Sequence, residues 1–213
     1  MKSLIEYINE SNNVKLVSDG KERGFDYVDL GLPSGTMWAT CNIGADKPED
    51  QGLLFQFGRV DGYKYGDENN EFVTTDDSNE STTSGKDYKT KEILDSEDDA
   101  AHVNMGGKWK MSTKDQLEEL YKYTTYKVET INGAKGMLFI SNINNKRLFI
   151  PFAGYWHNGR FAGAGSRADV WSSQVFASNV YRAYLLYCDS DGYAYVSDFF
   201  RLDAFSVRGV FRK

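Results

Sequence analysis

Residues 182–199 read RAYLLYCDSDGYAYVSDF, and these letters predict a β-hairpin. Tyrosines alternate with Ala194 and Val196 in the segment 193–199, with the period of a strand, and the polar turn 189–192 separates it from a second strand candidate at 182–188. A second hairpin is predicted at Asn158-Gly159, a dipeptide that favours two-residue turns. Working outward, further short strands are predicted at 25–30, 37–42, 126–131, 136–141, 147–151, 154–156 and 206–211.

One stretch has helical rather than strand periodicity. Ser112 or Thr113 can cap it, and one face is shared by Leu117, Leu120 and Tyr121, which predicts the main helix over about 113–123. Many short strands with one main helix indicate an α+β fold with an antiparallel core.

Composition and charge exclude several classes of protein. The 213 residues carry 25 basic and 31 acidic side chains, a net charge of −6, so we expect no nucleic-acid partner. The longest apolar runs are too short to cross a bilayer, so we expect no membrane partner. Two cysteines do not make a metal cluster, and we expect no cofactor and no metal.

The chain is predicted to divide into an N-terminal docking helix with a linker, residues 1–24, and one domain, residues 25–213. Leu4, Ile5 and Ile8 form an apolar stripe that docks either on its own domain or on another protein. Residues 67–99 hold 12 carboxylates and 3 lysines, which predicts a solvated acidic insertion. The N-terminus lacks the pattern of a secretory signal, so we expect a virion or cytoplasmic location.

Four blocks of sequence resemble one family. They are VDLGLPSGTMWATCNIG at 28–44, EDDAAHVNMGGKWKMSTK at 97–114, WSS at 171–173 and SVRGV at 206–210. Together they resemble the FISUMP-type (major paralogous domain) proteins of Bacteroidetes and their phages. The resemblance implies a C-type-lectin-like fold and little chemistry. Residues 1–10 also resemble the capsid-targeting leaders of internal head proteins in tailed phages, which implies a capsid or tail partner.

The sequence gives little support to catalysis. Neither Cys41 nor Cys188 has a basic neighbour along the chain to activate its thiol, so we expect no enzyme. The related formylglycine-generating fold keeps a cysteine-dependent enzyme as the last alternative. Residues 97–99 with His102 either bind a metal or cap a helix. Residues 189–192 imitate a calcium loop, but Phe200 stands where its last ligand belongs.

The C-terminal third is predicted to bind a ligand. Residues 151–213 hold 15 of the 31 aromatic residues, and residues 175–212 contain no Lys, Glu, Gln, Met or Trp. Those five types cannot be encoded by pyrimidine-ending codons, a bias that resembles the targets of diversity-generating retroelements.

We therefore expect a recognition protein for a protein or glycan ligand on a cell surface. The alternative is a structural capsid decoration or internal head protein. A core face is expected from Ala183, Leu186, Ala194 and Val196. One solvent-facing patch is expected from Asn179, Tyr181, Arg182, Tyr187, Asp189, Asp191, Tyr193, Tyr195, Asp198, Phe199 and Phe200.

Overall fold

A computed structural model describes residues 15–74 and 92–213. Of these residues 46% lie in strands and 8% in helices, and most strand pairs are antiparallel, which is compatible with the expected α+β class. The helices are α1 (Ala100–Met105) and α2 (Lys114–Lys122). The strands are β1 (Gly20–Glu22), β2 (Phe25–Asp29), β3 (Thr36–Ala39), β4 (Leu53–Gln56), β5 (Tyr63–Lys64), β6 (Lys110–Met111), β7 (Thr124–Ile131), β8 (Ala134–Ser141), β9 (Arg147–Pro151), β10 (Ala153–His157), β11 (Arg160–Ala164), β12 (Arg167–Val175), β13 (Arg182–Asp189), β14 (Ala194–Phe200), β15 (Ala204–Ser206) and β16 (Gly209–Arg212).

The strands form three sheets. The largest has the order β14-β13-β12-β10-β15-β4-β5, with β11 paired to β10. A five-stranded sheet has the order β1-β2-β3-β16-β6, and a meander joins β7, β8 and β9. The β13–β14 hairpin therefore lies at one end of the largest sheet, with β14 as an edge strand.

Two apolar clusters cover the two faces of that hairpin. Ala183 and Leu185 pack in a cluster with Trp171, while Leu186 and Cys188 pack in a second cluster with residues of α2. Alternate residues of a strand point to opposite faces, so both faces of β13 contribute to the core. The expected single core face containing Ala183 and Leu186 is therefore wrong.

Side-chain caps fix both helices. Thr113 and Gln116 form a reciprocal capping box at the start of α2, which confirms the predicted main helix to within one residue at each end. Asp99 accepts a hydrogen bond from the backbone of His102, 2.9 Å, and so caps α1. Of the two readings of residues 97–99, capping is the one realised at Asp99. The short helix α1 was not predicted.

Two boundaries differ from the sequence expectations. The predicted strand 206–211 is wrong, because β15 and β16 belong to different sheets and the chain crosses between them at Val207 and Arg208. Arg208 is fully buried at this crossing and donates to three oxygens, those of Asn42 (Oδ1), Ala39 and Phe149, at 3.0–3.2 Å. The five-stranded sheet also begins earlier along the chain than expected, since β1 lies inside the segment predicted as a linker.

Parts of the predicted docking helix and acidic insertion lie outside the described residues: Leu4, Ile5 and Ile8, and residues 75–91. Within the described end of the insertion, Leu94 is buried and Ile93 bridges to Gln174, so residues 93–94 pack on the domain rather than forming solvated loop. No helix among the described residues is long and apolar enough to span a membrane.

Candidate functional site

Three aromatic rings surround the guanidinium of Arg167 at the start of β12. Its central carbon lies 4.5 Å from the ring centroid of Tyr155 and 4.7 Å from those of Tyr187 and Phe199. The Nε and Nη2 atoms also donate to the two carboxylate oxygens of Asp169, at 2.6 and 2.9 Å. We call this arrangement the Arg167 cage. In this arrangement the three rings and the bidentate carboxylate of Asp169 together hold the Arg167 guanidinium in place.

The carboxylates behind the cage are buried. Burial raises the pKa of Asp169 to about 6, although its hydrogen bonds to Arg167 act in the opposite direction. Burial also raises the pKa of Asp203, whose Oδ1 lies 2.6 Å from His157 Nδ1. Asp169 therefore titrates in a range that biological conditions reach.

A stack of rings continues the cage to the edge of the sheet. Tyr187 and Tyr195 are register partners on β13 and β14, and their rings stack with centroids 4.9 Å apart and planes 29° apart. Because β14 is an edge strand, Tyr195 is the last ring of this stack, and it is 46% exposed. Tyr193, two residues away, is 60% exposed, the most of any large hydrophobic side chain in the described residues.

The turn between the strands is organised by one carboxylate. Asp189 Oδ1 accepts the backbone N–H groups of Asp191 and Tyr193 at 3.0 and 3.1 Å, and Oδ2 accepts the Tyr187 hydroxyl at 3.0 Å. Burial, assisted by that hydrogen bond, raises the pKa of Tyr187 to about 12, so its hydroxyl stays protonated as a donor. Residues 189–192 thus form a turn that is stabilised by the Asp189 side chain. We define the hairpin surface as Tyr187, Asp189, Asp191, Tyr193 and Tyr195.

The predicted patch is not one surface. In the β13–β14 register Tyr187 faces Tyr195 and Arg182 faces Phe200, so odd-numbered and even-numbered residues lie on opposite faces. The structure groups Tyr187, Asp189, Tyr195 and Phe199 on one face. On the other face it groups Arg182, Asp198 and Phe200, where Arg182 donates to the Asp198 carboxylate and its guanidinium lies 4.7 Å from the Phe200 ring centroid.

Two predicted residues precede the hairpin. Asn179 and Tyr181 lie in the loop before β13, where Asn179 Oδ1 accepts the Tyr181 N–H at 3.0 Å. Sequence reasoning missed Arg167, Asp169 and Tyr155. The spacing of Arg167 and Asp169 places both on one face of a strand, and that signal was available had β12 been predicted.

Cys41 marks a second location on the molecule. It is half-buried and lines two adjoining cavities of about 210 and 260 Å³, which also share Asp26, Thr40 and Asp46. Cys188 is fully buried, and burial raises the pKa of its thiol well above the ordinary value. Within residues 15–74 and 92–213, no group of three or more His, Cys, Asp and Glu side chains could hold a metal ion.

Comparisons with protein-family models, with curated proteins and with solved structures found no match.

Proposed function

We propose that the chain is a non-enzymatic recognition module that binds a protein or glycan ligand through the hairpin surface. The observation that carries this proposal is the exposure of two tyrosines, Tyr193 directly before the edge strand β14 and Tyr195 within it, at 60% and 46%. Tyrosines offer large contact area at low cost in side-chain entropy, and exposed aromatic clusters mark interaction sites.

A rigid foundation under the exposed rings supports the same proposal. Tyr195 stacks on Tyr187, Tyr187 lies against Arg167, and Arg167 is held by buried Asp169. A contact surface whose rings are already ordered loses less freedom on binding than a flexible one. The hairpin surface is therefore preorganised for a partner.

We further propose the C-type-lectin-like fold, a phage virion origin and diversification of the exposed hairpin positions. These proposals rest on the sequence resemblances together with the antiparallel sheets, the main helix and the buried tryptophans. The stretch lacking five residue types also contains buried Phe205 and Arg208, so diversification is proposed for exposed positions alone. The N-terminal segment is proposed to dock on capsid or tail proteins.

The test is a binding screen with matched variants. The wild-type chain, Tyr193→Ala/Tyr195→Ala and the control Tyr126→Ala are applied to arrays of glycans and displayed peptides. Tyr126 is 37% exposed on β7, in a different sheet. We expect ligands that bind the wild type and the control but not the double variant. A double variant with an unchanged binding profile would refute recognition through this surface.

A cysteine-dependent enzyme is the second candidate, and the observation that favours it is the position of Cys41 between two cavities. A thiol needs access and activation to act as a nucleophile, and the cavities supply the access. The rate at which Cys41 reacts with an alkylating reagent tests this candidate.

A further inference from the structure

The molecule already contains a binding site for a guanidinium, built from side chains of the same types as the hairpin surface. Arg167 is held by the faces of Tyr155, Tyr187 and Phe199 and by a carboxylate. Rings attract a cation through their negative faces, and a carboxylate adds a directional ion pair. Within the protein itself, a combination of tyrosine and phenylalanine rings with one carboxylate therefore binds a guanidinium.

The stack that begins at Arg167 ends at an open position. Arg167, Tyr187 and Tyr195 follow one another across β12, β13 and β14, and the Tyr187 ring lies within 4.9 Å of its neighbour on each side. Beyond β14 no strand pairs with the sheet in the described part of the chain. The outer side of Tyr195 can therefore accept one further planar group.

The charges around that position are negative. Asp189 and Asp191 flank the exposed tyrosines, and neither carboxylate belongs to an ion pair among the described residues. Asp191 is exposed in the turn, where its backbone N–H donates to Asp189 Oδ1. A neutral sugar ring would use the tyrosines but would leave these two charges without a counterpart.

We propose that the hairpin surface binds an arginine side chain presented by a protein partner, with the guanidinium against the outer side of Tyr195 and near Asp191. This inference rests on the proposed recognition function and specifies its ligand. Arginine fits better than lysine, because a planar guanidinium stacks on a ring and also reaches a carboxylate with a second N–H group. Salt weakens such an exposed contact, since it screens the carboxylate charge.

The experiment uses acetyl-arginine-amide and its neutral isostere acetyl-citrulline-amide as probes, with amide shifts of the ¹⁵N-labelled full chain as the readout. We expect the arginine probe to shift the amides of Asp191, Tyr193 and Tyr195 with a dissociation constant on the order of 1–10 mM. The citrulline probe is expected to bind at least about fivefold more weakly, because it loses the cation–π and charge terms.

Three variants sharpen the test. Asp191→Asn and Tyr195→Leu are each expected to weaken the arginine probe at least about threefold. The control Glu68→Gln removes an equal charge at an exposed position far along the chain, and it is expected to leave the binding unchanged. Equal binding of the two probes, absence of shifts at the hairpin, or an equal effect of Glu68→Gln would overturn the arginine proposal.

The same data separate this proposal from the recognition proposal. Glycans that bind the wild type and are lost in Tyr193→Ala/Tyr195→Ala, without a preference for arginine over citrulline, would overturn the arginine ligand and support recognition. A preference for the arginine probe over the citrulline probe that disappears in Tyr195→Leu would support both the recognition function and the arginine ligand.

Discussion

The rings of Tyr187 and Tyr195 stack across β13 and β14 with their centroids 4.9 Å apart. Tyr187 also contacts the guanidinium of Arg167, which in turn donates to the buried carboxylate of Asp169. An exposed tyrosine at the edge of the sheet is thereby connected to a buried carboxylate through three successive contacts. We therefore expect substitutions in the exposed part and in the buried part of the site to change the free energy of unfolding by different amounts.

The two exposed tyrosines should contribute unequally to stability. Tyr193→Ala removes a ring with no ring partner among the described residues, so the free energy of unfolding should change by less than about 0.5 kcal/mol. Tyr195→Ala removes the stacked ring, and we expect a loss of about 0.5–1.5 kcal/mol. Urea denaturation measures both. A loss of several kcal/mol for Tyr193→Ala would show that its ring belongs to the core.

The Arg167–Asp169 pair should be far more sensitive to truncation than an exposed ion pair. Arg167→Met leaves the Asp169 carboxylate buried without its cation, and we expect a loss of about 3–5 kcal/mol in the free energy of unfolding. Lys127→Met, which breaks the exposed pair with Glu129, is the control and should cost less than about 1 kcal/mol. Similar losses in urea denaturation would contradict the burial of the cage.

The double variant Arg167→Met/Asp169→Asn extends that comparison. Removing the charge of residue 169 also removes the unpaired buried carboxylate, so the double variant should be more stable than Arg167→Met alone. Additive losses would show that the two side chains do not interact.

Asp169 should give the folded state a specific dependence on pH. Its pKa is about 6 when folded and near 3.9 when unfolded, so the folded state binds the proton more tightly. The contribution to stability is present in full below pH 3.9 and is lost as the pH rises through 6. Relative to Asp169→Asn, the wild type should gain on the order of 2–3 kcal/mol between pH 7 and pH 4. Parallel stability curves for the two proteins would contradict the raised pKa.

The two cysteines should react differently with iodoacetamide in the folded protein. Cys188 is fully buried with a raised pKa, so it should react only after unfolding. Cys41 lines two cavities and should be alkylated without unfolding. A Cys41 rate no faster than that of a free thiol at the same pH would argue against the cysteine-enzyme candidate. A much faster rate would favour it, and Cys41→Ser should abolish the reaction.

The sequence predicts those features whose interacting residues lie close together along the chain. The two hairpins and the capping box of α2 were predictable, because short-range turn and capping chemistry determines them. At Asn158-Gly159 both residues have positive φ, 42° and 83°, as the predicted two-residue turn requires. Strands β10 and β11 flank this turn, and His157 pairs with Arg160 across it.

Long-range relationships were not predictable in the same way. The β13–β14 hairpin was predictable from its local sequence. The sequence alone does not show that the main helix covers one face of the hairpin and Trp171 the other. The residues of the predicted patch were therefore assigned to one surface although they occupy two. Arg167 reaches Tyr187 and Phe199 across strand pairs, and no local pattern contains that contact. The short strand β15 was missed because its burial comes from pairing with β4 and β10.

The most direct test of the central claim is the affinity of one ligand from the binding screen, measured by calorimetry for three proteins. Between the wild type and Tyr193→Ala/Tyr195→Ala we expect at least about a 30-fold loss of affinity, since anchoring rings commonly contribute 1 kcal/mol or more each. Tyr126→Ala should bind as the wild type does, and the double variant should remain folded. Equal affinities of the folded double variant and the wild type would contradict recognition through the hairpin surface.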